Sequence, residues 1–144
     1  MNHTIKMYRA AGSAATLVLL ALSIGAAHAG DVKVKLSGDQ ETPAVTTSAT
    51  GVGSFSVADD RSLTGTVKTS GLADATVAHI HVGVAGQKGG PVVTLNKLAD
   101  NEWNVPAGTT LSDADYESFK AGKLYVNVHS AANKGGEIRG QLQP

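Results

Sequence analysis

Cysteine is absent from the 144 residues. That excludes disulfide staples, thiolate metal sites, a cysteine nucleophile and a lipid-modified cysteine at a processed N-terminus. Aromatic residues make up 4% of the chain and prolines number four, so no array of rings suggests carbohydrate stacking. Net charge is missing too, because 12 Lys+Arg stand against 12 Asp+Glu. A balanced chain exerts no strong pull on nucleic acid or acidic membrane surfaces. No apolar run reaches the ~20 residues that a spanning helix needs. Glycine is plentiful at 17 residues, which suits a turn-rich β domain better than a helical bundle. The length allows one domain.

The N-terminal segment reads as an export signal. Lys6 and Arg9 precede an apolar run over residues 14–24, and Ala27-His28-Ala29 offers the small-x-small pattern of a cleavage site. A retained anchor is the competing reading, and the run is too short for it. Residues 1–29 are therefore expected to be a cleaved signal peptide, with residues 30–144 as a periplasmic or secreted domain. Losing Lys6 and Arg9 leaves 10 basic against 12 acidic residues, and His79, His81 and His129 as the histidines. Without disulfides such a domain depends on its core alone, and about 115 residues suffice for that.

Short stretches of strict apolar/polar alternation predict half-buried strands. Residues 31–36 place Val32, Val34 and Leu36 on one face and Lys33 and Lys35 on the other. Residues 38–49, rich in Thr, Ser and Pro, read as a loop. Strands follow at 51–57, with Phe55 and Val57 inward, and at 63–69, with Leu63 and Val67 inward, joined by the Asp59–Ser62 turn. Further strands are expected at 75–82, 91–95, around Trp103, at 124–129 and at 136–142. Residues 111–122 predict a helix with Ser112 as N-cap, Asp113 and Asp115 at its positive end and Gly122 at its close. Tyr116 and Phe119 share one face of it. Seven or so strands and one helix in a connection point to an all-β fold, an antiparallel β-sandwich.

Two strands carry the candidate chemistry. In Ala78-His79-Ile80-His81-Val82 the imidazoles share a face opposite Ala78, Ile80 and Val82. In Leu124-Tyr125-Val126-Asn127-Val128-His129 the face of Tyr125, Asn127 and His129 lies opposite the apolar set. If these strands are neighbours, His79, His81 and His129 converge on the outer face of the sheet. Three neutral imidazoles with an open position suit copper or zinc, and without thiolate they are compatible with Cu(II); copper is the expected ion and zinc the second choice. The competing reading is three ordinary surface histidines. Glu137, Arg139 and Gln141 alternate on the last strand. A carboxylate there would orient a ligand from behind, Arg139 would attract an anion, and the alternative is an exposed cross-strand ladder.

Other motifs fall away. The glycine-rich segment at 83–91 lacks the Gly-Lys-Ser/Thr ending of a phosphate loop and does not open a helix, so it reads as a bend between strands. No serine sits in a Gly-x-Ser-x-Gly elbow.

The ordered motifs resemble the chordin-type, or CHRD, domain family. They run from Leu36-Ser37-Gly38-Asp39-Gln40-Glu41-Thr42-Pro43-Ala44-Val45 through Ala78-His79-Ile80-His81-Val82-Gly83 and Gly89-Gly90-Pro91-Val92-Val93. They end in Leu124-Tyr125-Val126-Asn127-Val128-His129-Ser130 and Gly135-Gly136-Glu137-Ile138-Arg139-Gly140-Gln141-Leu142. The resemblance implies an all-β extracytoplasmic module and does not by itself imply an enzyme. A weaker resemblance is to Cu/Zn superoxide dismutase, whose His-x-His strand, later His and Arg near copper fall in the order of His79, His81, His129 and Arg139. This chain has no Cys pair, no bridging His and no His-rich zinc loop, so a mononuclear copper site is the most that resemblance implies.

The sequence thus predicts a metal site of His79, His81 and His129 with Tyr125, Asn127 and Glu137 around it. Arg139 is the candidate catalytic residue for redox turnover of superoxide. The alternative is a non-catalytic adhesion or interaction module whose sheet face binds a protein partner through His79 and Tyr125. Monomer and homodimer are both compatible with the sequence.

Overall fold

Alternation builds most of the nine strands among the described residues. They are β1 (His28–Ser37), β2 (Thr50–Ala58), β3 (Leu63–Ser70), β4 (Ala75–Val82), β5 (Pro91–Thr94), β6 (Asn96–Ala99), β7 (Glu102–Asn104), β8 (Leu124–Ser130) and β9 (Ile138–Leu142), with α1 (Asp113–Lys120) between β7 and β8. The computed structural model describes residues 28–144, and the expected signal peptide lies outside them but for its last two residues. Among the described residues no helix is long and apolar enough to cross a membrane.

All strand pairs are antiparallel, in the order β5-β4-β8-β9-β1-β2-β3-β7-β6. The all-β expectation holds, with the two layers formed by one continuous sheet that coils on itself. β5 and β6 lie at opposite ends of the strand order, yet Leu95 alone separates them in sequence. One extended run therefore pairs with β4 through its first half and with β7 through its second. Leu95 N–H donates to the Ala78 carbonyl at 2.9 Å between them. The sheet is left nearly barrel-shaped, which spares it long open edges. β6 was not foreseen because all four of its residues are exposed and carry no alternation.

The alternating apolar residues fill the inside. Val32, Val34 and Leu36 of β1, Phe55 and Val57 of β2, Leu63 and Val67 of β3 and Trp103 of β7 are buried there. So are Ala78 and Ile80 of β4, Leu124, Val126 and Val128 of β8, and Ile138 and Leu142 of β9. Val82 departs from expectation: it is 36% exposed, since it is the last residue of β4, where the chain leaves the sheet. Ser112 caps α1 by accepting from Asp115 N–H at 3.1 Å. Gly122 follows the cap residue Ala121 with φ +67°, a conformation that favours glycine. Phe119 seats the helix in the core.

Candidate metal centre

The second face of the sheet is polar where β4, β8 and β9 meet. β4 pairs His79 with Asn127, His81 with Tyr125 and Val77 with His129, while β8 sets Asn127 opposite Arg139 and Tyr125 opposite Gln141. Period-two alternation therefore gathers the three histidines on the face that excludes Ile80, Val126 and Val128. This juxtaposition is the one the sequence predicts.

That face lies outside the apolar core but is largely covered, with His79 the half-buried member of the three histidines. His81 and His129 are each 8% exposed, Tyr125 3% and Arg139 1%. The reason is that three loops fold over the face, where its polar side chains hold them through backbone carbonyls and side chains. Arg139 donates to the Gln87 carbonyl at 2.7 Å and the Val84 carbonyl at 2.9 Å, and Gln141 donates to the Gly83 carbonyl at 2.8 Å. Asn127 donates to Glu41 Oε1 at 3.3 Å. Glu137 accepts from Thr47 at 2.8 Å, from Asn133 at 3.1 Å and from Ser130. The segment read as a bend at 83–91 is thus part of a roof. Gly89 allows it to come this close, because a Cβ there would meet the Val82 carbonyl oxygen at 1.6 Å.

Under the roof the histidines present nitrogen atoms that lie within 4.8 Å of one another. His79 Nδ1 is 3.1 Å from His129 Nε2. His129 Nδ1 sits 2.9 Å from the Lys134 carbonyl oxygen, and His81 Nδ1 sits 3.0 Å from that of Gly89. A carbonyl only accepts, so both Nδ1 atoms carry hydrogen and each neutral ring keeps its lone pair on Nε2. His81 Nε2 is buried without a hydrogen-bond partner, and so is Asn127 Oδ1. Two buried acceptors without donors are costly unless something electropositive comes between them.

Burial and neighbouring charge favour the neutral form of His79 and His81. Burial pushes His79 below the usual histidine range, and its neighbours His129 and His81 push it further. Burial does the same to His81 against the opposing pull of the Gly89 carbonyl and of the Asn127 side chain, which favour the charged ring, with His129 and Arg139 adding to the depression. Neutral imidazole is the form that ligates metal.

The surrounding residues divide. Tyr125 stacks on His81, centroids 4.9 Å apart and planes 3° off parallel, and its hydroxyl accepts from Gly89 N–H at 3.3 Å. Its burial leaves no contact surface for a protein partner there. Arg139 lies over the Tyr125 ring at 3.4 Å and donates to the 83–90 loop and to Gln141 Oε1. Glu137 spends its oxygens on Ser130, Thr47 and Asn133, and these hydrogen bonds outweigh its burial and hold its carboxyl below the usual range. The carboxylate that backs Asn127 is instead Glu41, raised by burial against the opposing pull of Asn127, the Thr42 amide and Arg139. Sequence reasoning placed Glu41 in a loop and missed it; its position inside the Leu36–Val45 motif was the available signal. The carbonyls of Gly89 and Lys134 carry no side-chain signal at all.

No curated protein and no solved structure matches this chain. The family model of the CHRD domain matches residues 32–142, which span all nine strands but the first four residues of β1. The polar face, its three histidines and the loops that cover them all fall inside that match, and the chain belongs to the CHRD domain family.

Proposed function

We propose that this chain is an exported CHRD-domain protein that binds one transition-metal ion, copper, through His79, His81 and His129. The observation that carries the reading is the convergence of one ring nitrogen from each of three imidazoles within 4.8 Å, with the buried His81 Nε2 left without a hydrogen-bond partner. Imidazole without thiolate or carboxylate suits copper and zinc alike, and the usual affinity order of divalent ions puts Cu(II) ahead of zinc at such a site. The 3.1 Å between His79 Nδ1 and His129 Nε2 would subtend about 100° at a metal bound to both at ordinary metal–nitrogen lengths of ~2.0–2.1 Å. Membership in the CHRD family supports an extracytoplasmic domain. Cleavage after Ala29 would leave the β1–β2 pairing intact from Gly30↔Val57 onward.

Three protein ligands leave a coordination position free, which a redox-active ion needs for turnover of a small molecule such as superoxide. In that extension the protein residues hold the ligand rings, limit water with the loop roof and favour neutral His79 and His81. Superoxide decay no faster with copper-loaded protein than with buffer removes the extension and leaves storage or delivery.

The test of binding is titration of the metal-free domain with Cu(II) under electron paramagnetic resonance. One equivalent giving an axial signal with hyperfine structure from several nitrogens is the expected result. A signal no different from that of copper in buffer contradicts the proposal and turns attention to a protein-interaction role.

A further inference from the structure

Arg139 is 1% exposed, yet none of the ion pairs among the described residues includes it. Its guanidinium instead grips one turn. Gln87 N–H donates to the Val84 carbonyl at 3.0 Å, and Gly86 within that turn has φ +78°, as the third residue of a type II turn requires. Arg139 Nη2 reaches the Val84 carbonyl at 2.9 Å and Nη1 the Gln87 carbonyl at 2.7 Å, so one planar fork spans both ends of the turn. Two residues beyond Gln87, Gly89 supplies both the carbonyl that accepts from His81 Nδ1 and the N–H that donates to the Tyr125 hydroxyl. β8 lies between β4 and β9, so Tyr125 is flanked by His81 from one neighbouring strand and Arg139 from the other.

We infer that Arg139 is a positioning residue of the histidine site: it clamps the 84–87 turn so that the Gly89 carbonyl holds His81 in its Nδ1–H form with Nε2 presented inward. The consequence for metal rests on the copper reading above, while the structural part stands without it. Half of residues 83–90 are glycine, so the segment has little conformational preference of its own and depends on these contacts. Lysine does not substitute, because an ammonium cannot fork across two carbonyls and lie flat on Tyr125 at once. His129 takes its orientation from Lys134 on a different loop, and it serves as the internal reference.

The experiment is long-range proton–nitrogen correlation NMR on the metal-free mature protein, reading the tautomer of each histidine, in the wild type, Arg139→Gln and Arg139→Lys. The wild type shows His81 and His129 as Nδ1–H. Both variants shift His81 to a mixture with the Nε2–H form, leave His129 unchanged and weaken Cu(II) binding about 10–100-fold, the range for loss of a group behind a ligand. Wild-type behaviour of Arg139→Lys means that charge alone matters and overturns the clamp. An unchanged His81 in both variants overturns it as well, as does equal change in both histidines. Should the Arg139 variants fail to fold, Gly86→Pro undoes the same turn from an exposed position with nothing within 4 Å of the added Cβ. A shift of His81 alone supports the clamp there, and no shift overturns it. Absence of copper binding in the wild type would sink the proposed function and leave the tautomer result readable.

Discussion

His79 Nδ1 lies 3.1 Å from His129 Nε2, although 50 residues separate the two in the chain. The Lys134 carbonyl already takes the hydrogen on His129 Nδ1, so His129 Nε2 accepts and His79 donates. The metal-free site is thus a hydrogen-bonded pair beside the bare Nε2 of His81. A cation that entered would displace one hydrogen and gain three lone pairs.

Single replacement of His79, His81 or His129 by alanine is expected to weaken Cu(II) binding by at least about 100-fold, beyond what loss of a supporting neighbour costs. Asn127→Ala removes only a neighbour and falls below that. Competition against a chromophoric chelator measures all four.

Ile80 occupies the same strand as the two histidines and points the other way, fully buried in the core. Ile80→Val should destabilise the fold by about 0.5–1.5 kcal/mol without changing copper affinity. Denaturant unfolding and the same chelator competition test the two halves of that statement.

Glu137 gives a pH dependence with a defined sign. Its folded carboxyl sits below the usual range because three side chains donate to it. A depressed carboxylate contributes stability that is complete above its unfolded value of about 4.3. That contribution is lost as pH falls through the lower folded value, because the unfolded chain takes up the proton first. Between about pH 5 and 3 the wild type should therefore lose more stability than Glu137→Gln, as read by thermal unfolding across pH.

The cap of α1 makes a simpler prediction. Ser112 accepts from Asp115 N–H and donates to the Asp115 carboxylate, and Ser112→Ala should cost about 1 kcal/mol in urea unfolding.

Much of this arrangement is legible in the sequence because a strand has only two faces. Once Ile80 and Val126 take the core, His79, His81 and His129 have nowhere else to point, and the β4–β8 pairing does the rest. What could not be read was the roof. The 83–90 segment is held by carbonyls, which every residue has, so nothing in its side chains announces that His81 would find Gly89 or that Arg139 would bridge Val84 and Gln87. β6 escaped for a related reason, since its four exposed residues owe their strand to pairing with β7 and not to a buried face.

The most direct test of the central claim is the metal content of the mature protein, purified without a His tag from its native compartment, beside a His79→Ala/His81→Ala control. The account predicts close to one copper per chain in the wild type and none in the control. No copper in either, even after incubation with Cu(II), would contradict it and leave the three histidines as a buried hydrogen-bonded cluster that serves the fold alone.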